Sequence, residues 1–198
     1  MQGLSAFVLA GGRSSRMGTE KAWLTLEGET LLERALRLCR GITPTVSIAG
    51  PREKFAACGT VVEDVYRDCG PLGAIHAALC ATATDLNFIL AVDMPFVLPQ
   101  LIERLVEEAR ASNALVTVPC IYGRFEPLCA VYRRQFRDAA DASLARGRCK
   151  IDSLFSSVVT RVLDQADFER FAFDPAMFQN LNTRQDLLSA QSGGPKAD

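Results

Sequence analysis

The sequence predicts an α/β fold with a mostly parallel central sheet and helices on both faces. Three observations carry that expectation. Short apolar runs alternate with longer stretches of helical period along the chain. The runs at residues 6–10 and 86–92 are nearly continuous in apolar character, as parallel strands covered on both faces are. Each of these runs also stops abruptly, the first at Gly11-Gly12 and the second at Asp93.

The elements follow in order. Residues 6–10 read as a first strand. Residues 30–39 place Leu31, Leu32, Ala35, Leu36 and Cys39 at helical spacing, with Glu33, Arg34 and Arg37 between them, and Gly41 is expected to stop that helix. Residues 45–49 read as a second strand, 52–58 as a short helix and 60–63 as a third strand. Gly70-Pro71-Leu72-Gly73 opens a helix reaching residue 81, with Pro71 in its first turn. Residues 86–92 form the strongest strand pattern, and 99–111 an amphipathic helix. Residues 114–118 read as another buried strand, 125–132 as extended and 134–146 as helical. Asn180-Leu181-Asn182-Thr183 is a strong turn signal ahead of a short helix. No repeat or linker interrupts residues 1–191, which read as a single domain. Residues 192–198, rich in Gly, Pro and charge, read as a disordered tail.

Composition narrows the function classes. A chain of 198 residues can bury a sizeable core without staples. Its net charge of -1 argues against a broad nucleic-acid footprint, while leaving room for a local basic patch that binds a small polyanion. Seven cysteines, an odd number with no Cys-x-x-Cys pair, argue against a disulfide framework or a zinc knuckle. They are expected to be small buried side chains in a reducing cytosol. Neither a signal peptide nor a run of about 18 apolar residues is present, so the expectation is a cytoplasmic protein that binds no membrane.

Three suspicious segments follow strand ends, where ligands of open α/β sheets bind. The first is Leu9-Ala10-Gly11-Gly12-Arg13-Ser14-Ser15-Arg16-Met17-Gly18-Thr19-Glu20-Lys21. Its two leading glycines permit close backbone approach to a ligand, and successive N–H groups form an anion cradle. Arg13, Arg16 and Lys21 add three cations. The combination suits a nucleoside triphosphate whose charge grows on the leaving pyrophosphate. The segment matches neither the dinucleotide fingerprint nor a Walker A loop. The blander alternative is a solvated basic turn.

Asp93, directly after the strongest strand, is a candidate ligand for Mg²⁺, which takes one or two carboxylates together with substrate phosphates. The alternative is a cap for the next helix. Asp64 and Asp68 precede Gly70-Pro71-Leu72-Gly73. A carboxylate there could accept two hydrogen bonds from a guanine edge, cap the helix or orient Arg67. Gly73 permits close approach of base or ribose. Asn180 and Asn182 offer donors and acceptors suited to a polar heteroaromatic acceptor, or an ordinary helix cap. Arg148 and Lys150 could meet an acceptor phosphate, although a solvated surface pair is commoner. His76, the only histidine, reads as structural, and Trp23 as core or groove lining.

Taken together, these motifs resemble the molybdenum cofactor guanylyltransferase (MobA) family. The matching pieces are Leu9-Ala10-Gly11-Gly12 with Arg16-Met17-Gly18 and Lys21, then Gly70-Pro71-Leu72-Gly73, Asp93-Met94-Pro95-Phe96, Glu126-Pro127-Leu128 and Asn180-Leu181-Asn182-Thr183. The resemblance implies a Rossmann-like three-layer nucleotidyltransferase fold, with a nucleotide-binding N-terminal half and an acceptor-binding C-terminal half. It implies transfer of GMP from GTP to the phosphate of molybdenum-molybdopterin, giving the guanine dinucleotide cofactor and pyrophosphate. Leu9, Ala10, Gly11, Gly12, Arg13, Lys21, Asp64, Gly73 and Asp93 would then face the nucleotide. Arg16, Lys21 and Asp93 would be catalytic, Asp93 would hold Mg²⁺, and Asn180 and Asn182 would face the pterin. Other enzymes of molybdenum cofactor biosynthesis, or those that accept the cofactor, are the implied protein partners. The chain departs from the family pattern at Glu20, where Asp is frequent, at Ala49, where some members have Asn, and at Cys149, where Arg is expected. Three rivals share the phosphate turn: a cytidylyltransferase acting on the same pterin, a sugar-phosphate nucleotidyltransferase, and a non-catalytic GTP-binding cofactor-delivery protein.

Overall fold

The structure, a computed structural model, describes residues 1–11, 21–181 and 186. The expectations for Gly12, Arg13, Arg16, Asn182, the helix after residue 183 and the tail at 192–198 therefore lie outside the described residues.

The chain begins with β1 (Leu4–Leu9) and resumes at a short 3₁₀ turn (Lys21–Trp23). A small hairpin of β2 (Thr25–Leu26) and β3 (Glu29–Thr30) leads into α1 (Leu31–Ile42). Then come β4 (Val46–Ala49), α2 (Arg52–Phe55), β5 (Val61–Val62), α3 (Gly70–Ala81), β6 (Leu86–Ala91) and α4 (Pro99–Ala111). The second half holds β7 (Val116–Ile121), β8 (Arg124–Phe125), β9 (Cys129–Arg133), α5 (Phe136–Leu144), α6 (Asp152–Phe155), β10 (Thr160–Leu163) and α7 (Gln165–Arg170). A 3₁₀ turn (Pro175–Phe178) follows.

The large sheet has the strand order β10-β7-β9-β6-β1-β4-β5, with β8 paired to β7. β1 runs parallel to both β4 and β6, β4 to β5 and β7 to β10. β9 is antiparallel to β6 and β7. The sheet is thus mostly parallel and flanked by helices, as the alternation predicts. β1 also lies where successive strands turn from one side of the sheet to the other, because β4 flanks it on one edge and β6 on the other. In open α/β sheets that switch point leaves a crevice beyond the carboxyl ends of the strands.

Strand alternation divides the core in two. Ala6, Val8, Phe88 and Leu90 point toward α1 and α4, joining Leu31, Leu32, Leu36, Leu101 and Leu105. Phe7, Leu9 and Ile89 point the other way, against Leu72, Ile75 and Leu79 of α3 and Phe136 and Ala140 of α5. Each successive side chain on β1 reaches the opposite layer, which is why its run is apolar throughout. No described helix is long and apolar enough to cross a membrane.

Several boundaries differ from the expectations. α1 is entered through a capping box, with Thr30 accepting from the Glu33 N–H and Glu33 accepting from the Thr30 N–H. It does not stop at Gly41. It continues to the buried Ile42, and Thr43 ends it by donating its N–H to the Cys39 carbonyl. Gly41 is exposed, so its missing side chain leaves no gap, and Ile42 extends the apolar stripe. The extended stretch at 125–132 divides between β8 and β9. The β2–β3 hairpin, α6, β10 and α7 are not foreseen by the apolar pattern.

The cysteines also depart from expectation. Only Cys39 and Cys129 are buried among the free thiols, and Cys69 and Cys149 are joined as a disulfide. An odd count speaks against a framework of several bridges. It is silent on a single pair brought together across 80 residues of chain by the packing of α3 on α5.

Candidate active site

Three strand ends lie side by side in the sheet register. Leu9 of β1 is level with Ala49 of β4 and with Ala91 of β6. The residues that follow leave the sheet together and line one cavity of about 590 Å³, within the range of small-molecule sites. Ala10 and Gly11 come from β1, Pro51 from beyond β4, and Val92 and Asp93 from β6.

The floor of the cavity is backbone. The N–H groups of Ala10 and Gly11 both donate to the Ala49 carbonyl, at 3.0 and 3.1 Å, and the Val92 N–H donates to the Leu9 carbonyl. Gly11 runs so close to β4 that a Cβ added to it would lie 3.3 Å from the Gly50 Cα. Glycine on both strands permits that approach. Ala49, the departure noted in the sequence, is buried in the floor and holds the start of the turn through its carbonyl.

Lys21 and Asp93 form the charged centre. The Lys21 ammonium donates to Asp93 Oδ2 at 2.5 Å, with the two side chains 27% and 17% exposed. Asp93 does not cap the next helix, because the N-cap of α4 is Leu98 and no side chain caps it. The Asp93 carbonyl instead accepts from the Leu181 N–H at 3.0 Å, and Leu181 is fully buried. The C-terminal segment carrying Asn180 is thereby fastened to the cavity's edge, with Asn180 itself exposed. Leu128 of Glu126-Pro127-Leu128 closes another side, its carbonyl accepting from the Ala91 N–H. Beside it, Glu126 has its carboxyl pushed above the usual carboxylate range by burial, against the opposing pull of Arg124.

The third wall is the start of α3. Asp64, Asp68, Gly70, Pro71 and Ala74 line it. Cys69 is the N-cap and its side chain makes no capping bond, so the positive end of a twelve-residue helix lies at the cavity. Asp64 therefore does not cap α3. Its carboxyl is raised above the ordinary range by burial alone. Gly73 is buried, and a Cβ on it would stand 2.7 Å from the Tyr66 carbonyl and 3.8 Å from Asp64 Oδ2. Only glycine lets the helix pack this tightly on the Asp64 loop.

Sequence reasoning placed Leu9, Ala10, Gly11, Lys21, Asp64 and Asp93 in one site, and the structure brings all six to this cavity. Gly73 supports the wall from behind. Arg148 and Lys150 are exposed on the loop after α5. His76 is buried beside Tyr66, Cys80 and Asp141. Trp23 stacks on Phe55 and lines a second open groove of about 640 Å³ along α1. That groove's charged side chains include the Arg37–Glu29 ion pair, and it lies away from the strand ends. Sequence reasoning missed Pro51, Ala74 and the anchoring role of Leu181. Pro51 was findable, since it follows a strand end as Gly11 and Asp93 do.

The donor set suits a hard divalent cation. Among the described residues no group of three or more His, Cys, Asp or Glu side chains is arranged to hold a metal. One or two carboxylates beside substrate phosphates, with water completing the shell, is the usual Mg²⁺ arrangement, and Asp93 offers such a carboxylate at the cavity.

The chain is similar to known proteins over most of its length. Residues 6–161 match the model of the MobA-like NTP transferase domain. A probable molybdenum cofactor guanylyltransferase of Pelotomaculum thermopropionicum is 34% identical, the match covering 93% of this chain and 90% of that protein. One from Methanosarcina mazei is 35% identical over 92% and 88% of the two chains. Among solved structures, molybdopterin-guanine dinucleotide biosynthesis protein A from Archaeoglobus fulgidus superposes with a TM-score of 0.82 at 26% identity, covering 95% and 97%.

Proposed function

The chain belongs to the MobA-like NTP transferase family, and from that premise we propose that it transfers GMP from GTP to the terminal phosphate of molybdenum-molybdopterin, releasing pyrophosphate. The observation that carries this reading is the meeting of Gly11, Lys21, Asp64 and Asp93 in one cavity with the Leu181 segment fastened at its edge. The N-terminal half supplies the nucleotide walls and the C-terminal half the acceptor side, within one domain over residues 1–191.

Each group has a task. The cavity edge at Leu9-Ala10-Gly11, where glycine lets a ligand approach the backbone closely, takes the triphosphate. Gly12, Arg13 and Arg16 belong to the same turn by sequence, and Lys21 adds its ammonium where charge develops on pyrophosphate. Asp64 accepts from the guanine edge, and the α3 N-terminus beside it favours a nearby phosphate oxygen. Asn180, and by the sequence motif Asn182, would contact the pterin.

The acceptor phosphate is already anionic near neutral pH. One of its oxygens attacks the α-phosphorus of GTP as the bond to pyrophosphate breaks, without a general base. Catalysis is then positioning and electrostatic stabilisation. Asp93 would hold Mg²⁺, which offsets charge on the phosphate oxygens when bound. Lys21 donates to that carboxylate, so its ammonium stands beside the position a metal on Asp93 would take and within the same cavity as the phosphates. The reaction is placed in the cytoplasm, with cofactor-biosynthesis or acceptor enzymes receiving the product.

The test uses the purified chain with Mg²⁺, molybdenum-molybdopterin and each of the four nucleoside triphosphates in turn. Pyrophosphate release with GTP is expected. Release with CTP alone would assign a cytidylyltransferase, and tight GTP binding without turnover would assign a delivery protein.

A further inference from the structure

We propose that Cys69 and Cys149 form a reversible disulfide that fixes the wall of the nucleotide cavity, so that GTP affinity follows the thiol redox state. The inference rests on the reading of that cavity as the GTP site.

The pair stands where it can act on the cavity. Cys69 lies between Asp68 and Gly70, both of which line it, and Cys149 lies on the loop after α5. Their Cα atoms are 5.1 Å apart, inside the span a disulfide bridges without backbone movement. Both residues are partly exposed and within reach of small thiols. Cys39 and Cys129 differ, being buried with thiols pushed upward, to about 12 for Cys39.

The backbone at Cys69 shows what closure holds. Asp68 has φ 60° and Gly70 φ 57°, so two left-handed residues flank the cysteine. Glycine takes that conformation freely, but at Asp68 it carries strain that persists only where the surroundings hold it. A covalent tie at the adjacent residue supplies that restraint. The Cys69 Cβ also sits 3.4 Å from where a Gly73 side chain would begin, in the helical turn packed on the Tyr66 carbonyl and near Asp64. Opening the bridge removes the covalent tie beside Asp68 and Gly70, and that stretch of the cavity wall loosens.

The bridge is not what holds the layers together. α3 packs along α5 independently, and the Tyr66 hydroxyl donates to Asp141 of α5 at 2.8 Å. Reduction therefore leaves the fold standing and changes only the local order of residues 68–70 and the Cys149 loop. Intracellular disulfides of this kind are commonly transient and redox-sensing.

The chemistry balances with a small-molecule disulfide such as glutathione disulfide as oxidant. One cysteine thiolate attacks a glutathione sulfur, forming a mixed disulfide and releasing one glutathione thiolate. The second cysteine thiolate attacks the protein sulfur of that mixed disulfide and releases the other. Two cysteine thiols become one disulfide, one glutathione disulfide becomes two glutathiones, and the two cysteine protons pass to the released thiolates.

The test equilibrates the full chain in buffers of graded glutathione to glutathione disulfide ratio. Free thiols are trapped by acid quench and alkylation, and the linked peptides are mapped by mass spectrometry. The GTP dissociation constant with Mg²⁺ is measured at each ratio by calorimetry. A Cys69–Cys149 peptide that grows and recedes with the ratio is expected, together with GTP affinity about threefold or more weaker in the reduced state. Cys69→Ser and Cys149→Ser should each hold the reduced affinity at every ratio. Failure to find the linked peptide at any ratio overturns the proposal, as does normal GTP affinity that ignores the ratio. Absence of GTP binding in both states overturns the nucleotide reading, and the switch with it.

Discussion

Lys21 Nζ lies 2.5 Å from Asp93 Oδ2, joining two residues 72 apart in the chain. Neither side chain is more than about a third exposed, so the contact is partly shielded from water. Both side chains line the cavity read as the nucleotide site. The pair therefore couples the proposed metal carboxylate directly to the proposed phosphate cation.

The first prediction follows from that sharing. Asp93→Asn should lower kcat by about 10²-fold or more and flatten its dependence on Mg²⁺ concentration. Lys21→Ala should raise the GTP KM and lower kcat together. Because the two residues serve the same phosphates and touch each other, the double variant should lose less than the sum of the single losses. Near-normal Mg²⁺-dependent turnover by Asp93→Asn would remove it from the metal site.

Asp64 yields a pH prediction. Burial raises its carboxyl above the ordinary value of 3.8. The ionised form accepts from guanine, so GTP affinity should weaken as pH falls through that raised value, at a higher pH than an exposed aspartate would show. The sign for stability is opposite. Ionisation is disfavoured in the folded state, so stability is greatest below the unfolded value and declines as pH rises through the folded one. Asp64→Asn should remove this acid limb and raise the GTP KM about tenfold or more, the loss expected for hydrogen bonds to a charged acceptor. An unchanged limb in the variant would assign it to another group, with Glu126, also raised by burial, the next to test.

Two glycine substitutions should shift stability in opposite directions. Gly73→Ala puts a Cβ 2.7 Å from the Tyr66 carbonyl, a backbone atom that cannot rotate away. It should cost roughly 1–3 kcal/mol and lower Tm by several degrees. Gly41→Ala meets nothing within 4 Å on an exposed turn of α1, and should gain roughly 0.5–1 kcal/mol. Thermal unfolding of the two variants beside the parent decides it. Equal effects would mean that the close approach at Gly73 is relieved by local movement.

How much of this was legible in the sequence depends on the range over which each signal acts. β1, β6, α3 and α4 were readable because apolar runs and caps are local, and α3 and α4 have the residue limits expected. The cavity was readable because Gly11, Lys21, Asp64 and Asp93 all follow strands, and strand order at a switch point converts sequence adjacency into spatial convergence. The β2–β3 hairpin was missed because Glu27 and Gly28 form its turn with φ 54° and 85°, and Glu is not a usual residue for that conformation. The Cys69–Cys149 bridge was missed because nothing local marks a pair 80 residues apart. The Asn180 segment was recognised by motif, but its attachment through Leu181 to the Asp93 carbonyl is a backbone contact that no side-chain pattern announces.

That attachment supplies the last prediction. Leu181 is fully buried against the core that contains Met94, Met177 and Phe178, and its N–H is held by the Asp93 carbonyl. Leu181→Ala should cost about 2–5 kcal/mol through the cavity it leaves. The substitution keeps the backbone donor, but the side chain that seats the segment is gone, so the Asn180 side of the site should lose its fixed position. The acceptor KM should then rise several-fold more than the GTP KM, measured at a temperature where the variant is folded. Equal rises in both would mean that the substitution disturbs the Asp93 turn itself. An unchanged acceptor KM alongside the stability loss would detach the Asn180 segment from acceptor binding, because a mobile anchor cannot leave a true acceptor contact untouched.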